Sequence, residues 1–83
     1  MSEDLNHRQR YNKIFIESLS TSEESLENLE YNSIAEWDSV GHMSLMAALE
    51  EEFEIMMEME EIIDFSSYKI GKEILSKHGV KFD

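Results

Sequence analysis

The sequence predicts an all-α domain, and three observations predict it. There is no proline and only 3 glycines in 83 residues, while Glu, Met, Leu and Ile are plentiful, a composition that favours helices over strands. Apolar residues recur at i, i+4 and i+8 in two segments, Tyr11, Phe15 and Leu19, then Leu45, Leu49 and Phe53. Helix-start residues stand ahead of apolar segments, most clearly Asp38. The length allows one domain, residues 1–83, with a modest core. There is no cysteine, so neither a disulfide nor a thiolate zinc site reinforces it, and helix packing must supply the stability.

The first helix is predicted over residues 2–18, with Glu3 and Asp4 in its first turn, where negative charge is favoured. Tyr11, Phe15 and Leu19, with Ile14 beside them, form its core face, and His7 and the neighbouring arginines form a solvated face. Residues 19–37 are long for a structureless loop in a compact domain, so they should be pinned somewhere. Thr21 and Glu24 have capping-box spacing, and Leu26 and Leu29 then face inward from one short turn, with Tyr31 and Ile34 following. The serine cluster from Ser20 to Ser25 also suits a phosphorylation site or a linker, but apolar residues returning at regular intervals favour an ordered connection.

Asp38 reads as the N-cap of the second helix, because its carboxylate can accept hydrogen bonds from first-turn amides. Ser39 then sits at the positive end of that helix, a position suited to a phosphate. Leu45, Leu49 and Phe53 face the core. Val40, Met43, Met46 and Ala47 fall around the Ser39 side with Glu50 among them, and Glu51 and Glu54 flank them. A core-facing helix does not need this second strip, which reads as a small apolar docking surface in an acidic frame. Residues 54–63 alternate apolar and acidic side chains without a long clean period. Their methionines suit either ordinary core or an adaptable cavity lining, since Met repacks readily. Phe65 and Ile70 bracket Ser66 as in a hydrophobic staple, marking Ser66 as the last helix's cap. Ile70, Ile74 and Leu75 form its buried face, Lys72 and Lys77 suit its later turns, Gly79 suits the position after its end, and Val80 onward should fray.

The formal charge of −12 is unevenly spread, with no Lys or Arg from Ile14 to Tyr68. So acidic a middle repels phosphate backbones, which argues against nucleic acid and for a basic protein partner, or for acidity that only aids solubility. No apolar leader follows Met1 and no long apolar run occurs, so neither secretion nor a membrane span is expected, and the default is a cytoplasmic monomer. Ser39 and His42 lie one turn apart, but there is no Gly-x-Ser-x-Gly elbow and no orienting third group, so a catalytic serine is not expected. His42 leans toward Leu45 and Leu49, which suits packing or exposure near the helix start. Glu50, Glu51 and Glu52 point around the helix rather than at one point, and no calcium-loop pattern occurs, so no metal site is expected.

The Asp38-Ser39-Val40 triplet, followed by Leu45-Met46-Ala47-Ala48-Leu49-Glu50-Glu51-Glu52-Phe53, resembles the acyl carrier protein family. That family's Asp-Ser-Leu motif opens a helix ending in a Leu-Glu-Glu-Glu-Phe-like run. The resemblance covers most of the chain and implies a four-helix bundle with a long first connection and a short third helix within residues 54–63. The family's proline near Glu58 is absent, so the start of that helix is not marked. By resemblance, Ser39 carries a 4′-phosphopantetheine arm in phosphodiester linkage, taken from coenzyme A by a phosphopantetheinyl transferase. Asp38 orders the helix start and assists the transferase and its magnesium ion. The arm's thiol holds acyl intermediates of fatty-acid, polyketide-like or other specialised biosynthesis as thioesters, so a cysteine-free chain does thiol chemistry without being an enzyme. Val40, Met43, Met46 and Ala47 form the apolar part of the docking face, and Glu50 and Glu51 meet basic residues of acyl-loading and acyl-transfer enzymes. Gly41 departs from the polar residue often found there. Glycine in a first turn costs about 1 kcal/mol against alanine, and either admits an enzyme closely or merely loosens the turn. The run from Trp37 to His42 resembles stand-alone carriers of specialised pathways more than the housekeeping fatty-acid carrier. Two alternatives stand beside this reading: an aminoacyl or peptidyl carrier, and an acidic adaptor without an arm that binds a basic protein.

Overall fold

In the computed structural model, which describes residues 6–82, local sequence signals start and stop each element. The first helix, α1, spans His7–Leu19. Asn6 caps it by accepting the Gln9 amide, while the Gln9 side chain accepts the Asn6 amide, a reciprocal capping box. The expected start at Ser2, with Glu3 and Asp4, lies outside the described residues. Tyr11, Phe15 and Leu19 are fully buried as their spacing requires.

The long connection carries a short 3₁₀ helix, Glu23–Asn28. Leu26 and Leu29 are buried as expected, but the Thr21–Glu24 box does not form: Ser22 precedes the turn and its hydroxyl meets that of Ser25 at 3.2 Å. Farther on, Tyr31 N–H donates to Ser66 O and Tyr68 N–H to Leu29 O, so the connection is stitched to the entry of the last helix. Backbone pairing, rather than side-chain capping, is what pins this segment.

Helix α2 spans Ser39–Phe53, α3 Met59–Asp64 and α4 Tyr68–Lys77. The described residues contain these four α-helices and the 3₁₀ turn, and no strand beyond one isolated bridge, Glu30 with Ser67. α1 packs mainly on α2, and the 3₁₀ turn touches α1 and α4. The shared core is strongly aromatic: the Phe15 ring lies 5.5 Å from that of Trp37, 5.4 Å from Tyr68 and 6.2 Å from Phe65. Burial pushes the Tyr11 hydroxyl well above the usual tyrosine range, with the neighbouring Tyr68 adding to the effect, so it stays the donor to Tyr68 O.

Four local expectations are corrected. Ser67, not Ser66, caps α4 by accepting the Ile70 amide, and Ile70 is exposed rather than buried. The shift has a packing cause: a Cβ on Gly71 would stand 2.2 Å from both Phe65 Cζ and Tyr11 Oη, so α4 starts where its glycine can lie on those rings. The C-terminal segment docks instead of fraying, with Val80 buried, its amide donating to Leu75 O, and Phe82 5.0 Å from the Tyr11 ring. Arg10 is not merely solvated. Its guanidinium donates to Glu52 Oε2 and Glu52 O, both at 2.7 Å, and lies 5.0 Å from the Phe53 ring centroid, clasping the end of α2. Gly79 stands after the end of α4 with φ 92°, as expected of a left-handed terminator. None of the described helices is long and apolar enough to cross a membrane.

Candidate functional site

The start of α2 is built by residues on both sides of its cap. Asp38 is extended, with its Oδ1 accepting the Gly41 amide at 2.9 Å and its carbonyl accepting that of His42 at 2.7 Å. Ser39 is the first residue of the helix and is exposed. The first amides of a helix have no intrahelical partner, and Asp38 Oδ1 takes only that of Gly41. The Ser39 hydroxyl therefore stands at a helix end polarised toward anions.

Just before the cap, Trp37 is fully buried, with its amide bonded to Ile34 O and its carbonyl accepting from Asn32. Its indole Nε1–H donates to His42 Nδ1 at 2.9 Å. Because Nδ1 accepts, Nε2 carries the proton and donates to Ile62 O at 2.8 Å; the tautomer is assigned from these partners. Trp37 and His42 are thus the N′ and N4 residues of a staple across Asp38, and that spacing was the signal available in the sequence. Through Ile62 the same imidazole satisfies a carbonyl in the last turn of α3 and ties α3 to α2.

Gly41 has a steric role. A Cβ there would lie 2.0 Å from Glu36 O, so the loop entering α2 crosses its first turn too closely for a side chain. Neither enzyme access nor a loosened turn is needed to account for this glycine.

Between α2 and α3 runs an open groove of about 450 Å³. Met43 of α2 and Met59, Ile62 and Ile63 of α3 line it, together with His42, the buried Phe65, and the exposed Tyr31, Ser39 and Ser66. Of the methionines in residues 54–63, Met57 is buried core, Met59 lines the groove and Met56, 82% exposed, does neither; farther back, Met46 is core and Met43 lines the groove. Only Met43, among the residues expected at the docking face, lines the groove; its α3 side and Phe65 come from residues far along the chain.

The predicted docking face is smaller than expected. Val40, Met43 and Ala47 are exposed, Val40 by 74% and Met43 by 56%, but Met46 is 1% exposed and belongs to the core. Helical arithmetic explains the correction, since Met46 precedes Phe53 by seven residues and so lies about 20° from it around the helix. Glu51 is exposed, whereas Glu50 is half-buried and its Oε2 accepts the Met57 amide at 2.9 Å, which holds the turn between α2 and α3. Glu50 is therefore committed within the fold and is not a free docking charge.

α3 starts without a proline because Glu61 reaches back to accept the Glu58 amide at 2.9 Å. The same Glu61 oxygen accepts from His78 Nε2 at 2.9 Å, joining α3 to the end of α4. The Glu58 amide, then His78, hold the Glu61 carboxyl below the usual glutamate range. Among the described residues, no three His, Cys, Asp or Glu side chains are grouped to hold a metal ion. Compared with known proteins, the chain matches no family model, no curated protein and no solved structure.

Proposed function

We propose that this chain is an acyl carrier protein, with the four-helix bundle, long first connection and short third helix of that family, and that Ser39 is the attachment point of a 4′-phosphopantetheine arm. The observation that carries this reading is the coincidence of an exposed serine, a helix N-terminus and an apolar groove at one place. A phosphodiester on Ser39 would lie beside first-turn amides of α2 that have no intrahelical partner, since Asp38 Oδ1 accepts only that of Gly41.

In the loading step, Ser39 Oγ forms the new ester bond to phosphorus, its proton leaves to a base of the transferase, and the pyrophosphate bond of coenzyme A breaks to release adenosine bisphosphate. The arm, once bound, supplies a thiol that holds the cargo as a thioester. Everything else is positioning by this chain: Asp38 and Trp37 order the residues around Ser39, and His42 keeps α3 beside it. Val40, Met43 and Ala47 offer the apolar contact for partner enzymes. Glu51 and the exposed carboxylates of α3 attract their basic surfaces.

Intact-protein mass after incubation with coenzyme A, magnesium and a broad-specificity phosphopantetheinyl transferase tests the proposal. One phosphopantetheine should be gained, and Ser39→Ala should gain none. Failure with several transferases would leave an acidic adaptor without an arm as the better account.

A further inference from the structure

His42 lines the groove beside Ser39 and, by bonding the Ile62 carbonyl, spans from its α2 side to its α3 side. Both ring nitrogens are used, Nδ1 by Trp37 and Nε2 by the Ile62 carbonyl, so the imidazole bridges α2, the preceding loop and α3. Its ring lies 5.3 Å from Tyr31 and 6.1 Å from Phe65. Behind it, Trp37 and Phe65 are buried against Phe15. An alkyl chain threading from the groove into the core would break both hydrogen bonds of His42 and separate these rings. Buried polar groups left unpaired in that way are expensive, and close-packed aromatic rings do not part without leaving voids.

Charge restricts the occupant too. The groove lining contains no Lys, Arg, Asp or Glu, whereas Asp38, Glu58, Glu60 and Asp64 are exposed on the elements that form it. A free carboxylate is repelled by that frame, and an uncharged thioester tethered at Ser39 is not.

We propose that His42 is a specificity-determining positioning residue that sets the depth of this groove, so that the carrier shelters compact acyl groups, short-chain or single-ring, and leaves long alkyl chains exposed. This rests on the carrier reading of Ser39. The occupant is the acyl group on the arm, since Ser39 itself lines the groove and is exposed.

The test loads the full chain with butyryl-, benzoyl- and palmitoyl-phosphopantetheine from the corresponding coenzyme A esters and follows thioester cleavage by hydroxylamine. For the butyryl and benzoyl forms, cleavage should be about tenfold slower than for the free pantetheine thioesters, as when only about a tenth of molecules expose the bond. The palmitoyl form should be cleaved at nearly the free rate. In His42→Ala the order should reverse, with the palmitoyl form the better protected, because the bridge across the groove is lost. His42→Gln, whose amide offers one acceptor and one donor, should restore the wild-type order, which a general loss of stability in His42→Ala does not predict. Palmitoyl protection equal to or above butyryl in the wild type would overturn the proposal, as would an unchanged order in His42→Ala. Absence of any mass gain on loading would instead count against the carrier reading. In that event Ser39→Cys, a single thiol in a cysteine-free chain, can be joined to propyl, benzyl and hexadecyl groups as mixed disulfides. The compact groups should then raise the thermal midpoint and the hexadecyl group should not, and the opposite order overturns the proposal.

Discussion

Replacing Gly41 by alanine sets two effects of opposite sign against each other. Helix propensity favours alanine by about 1 kcal/mol, but the new Cβ would meet Glu36 O at 2.0 Å, and overpacking of that kind costs about 1–3 kcal/mol. The close contact involves backbone that cannot rotate away, so Gly41→Ala should lower stability in urea unfolding; a gain would mean that the loop before α2 moves freely. At Trp37, phenylalanine keeps most of the ring yet removes the N–H that His42 Nδ1 accepts, so Trp37→Phe should lose about 1–3 kcal/mol in the same assay. Glu61 supplies a pH dependence. Its folded pKa is depressed, so its contribution is complete above the ordinary glutamate range and is lost as pH falls through the lower folded value. Glu61→Gln should therefore lower the thermal midpoint most at neutral pH and flatten part of the acid limb, the variant and the wild type converging at low pH.

At the level of elements, the ends of helices carry the information. α2 stops at Glu54, which adopts φ 55° in the left-handed region while Ile55 N–H returns to Glu50 O at 3.1 Å. A side chain in that conformation costs roughly 1 kcal/mol or more, so Glu54→Gly should raise the thermal midpoint by several degrees in a domain of this size. Glu50 and Glu51 are adjacent in sequence but unequal in role. Glu51→Lys should slow arm transfer at low salt while leaving the fold intact. Glu50→Lys should in addition destabilise the turn into α3, because the Met57 amide loses its acceptor. Measuring transfer rate and thermal midpoint on both variants separates the two. The capping signals of α1, α2 and α3 were open to view in Asn6-x-x-Gln9, Asp38 and Glu58-x-x-Glu61, although only Asp38 was singled out in advance. Ser67 was missed by one position, because what decides it is the seat of Gly71 on Phe65 and Tyr11, residues from two other elements.

For the whole molecule, a charge of −12 on 83 residues means net self-repulsion in the folded state. Screening relieves it, since the Debye length falls from about 30 Å at 0.01 M salt to about 8 Å at 0.15 M. The thermal midpoint should therefore climb over that range, and a flat response would show that local pairs such as Arg10 with Glu52 already balance the field. Exposed carboxylates are carried by α2 and α3, while the basic residues belong to α1, α4 and, as Lys81, the C-terminal segment. The groove and Ser39 thus sit in the negative half of the molecule.

The sequence by itself determined the helical class, the apolar stripes of α1 and α2, the cap at Asp38 and the place of Ser39 at a helix start. Each of these depends on spacing of 3.6 residues per turn or on one side chain reaching its own backbone, interactions that close within a few residues. Only the tertiary structure decided that Met46 is core and Glu50 a loop anchor, that Gly41 answers to Glu36 O, and that the C-terminal segment docks through Val80 and Phe82. It alone created the groove, because His42 meets Ile62 across 20 residues and no local pattern records which distant carbonyl a histidine will find.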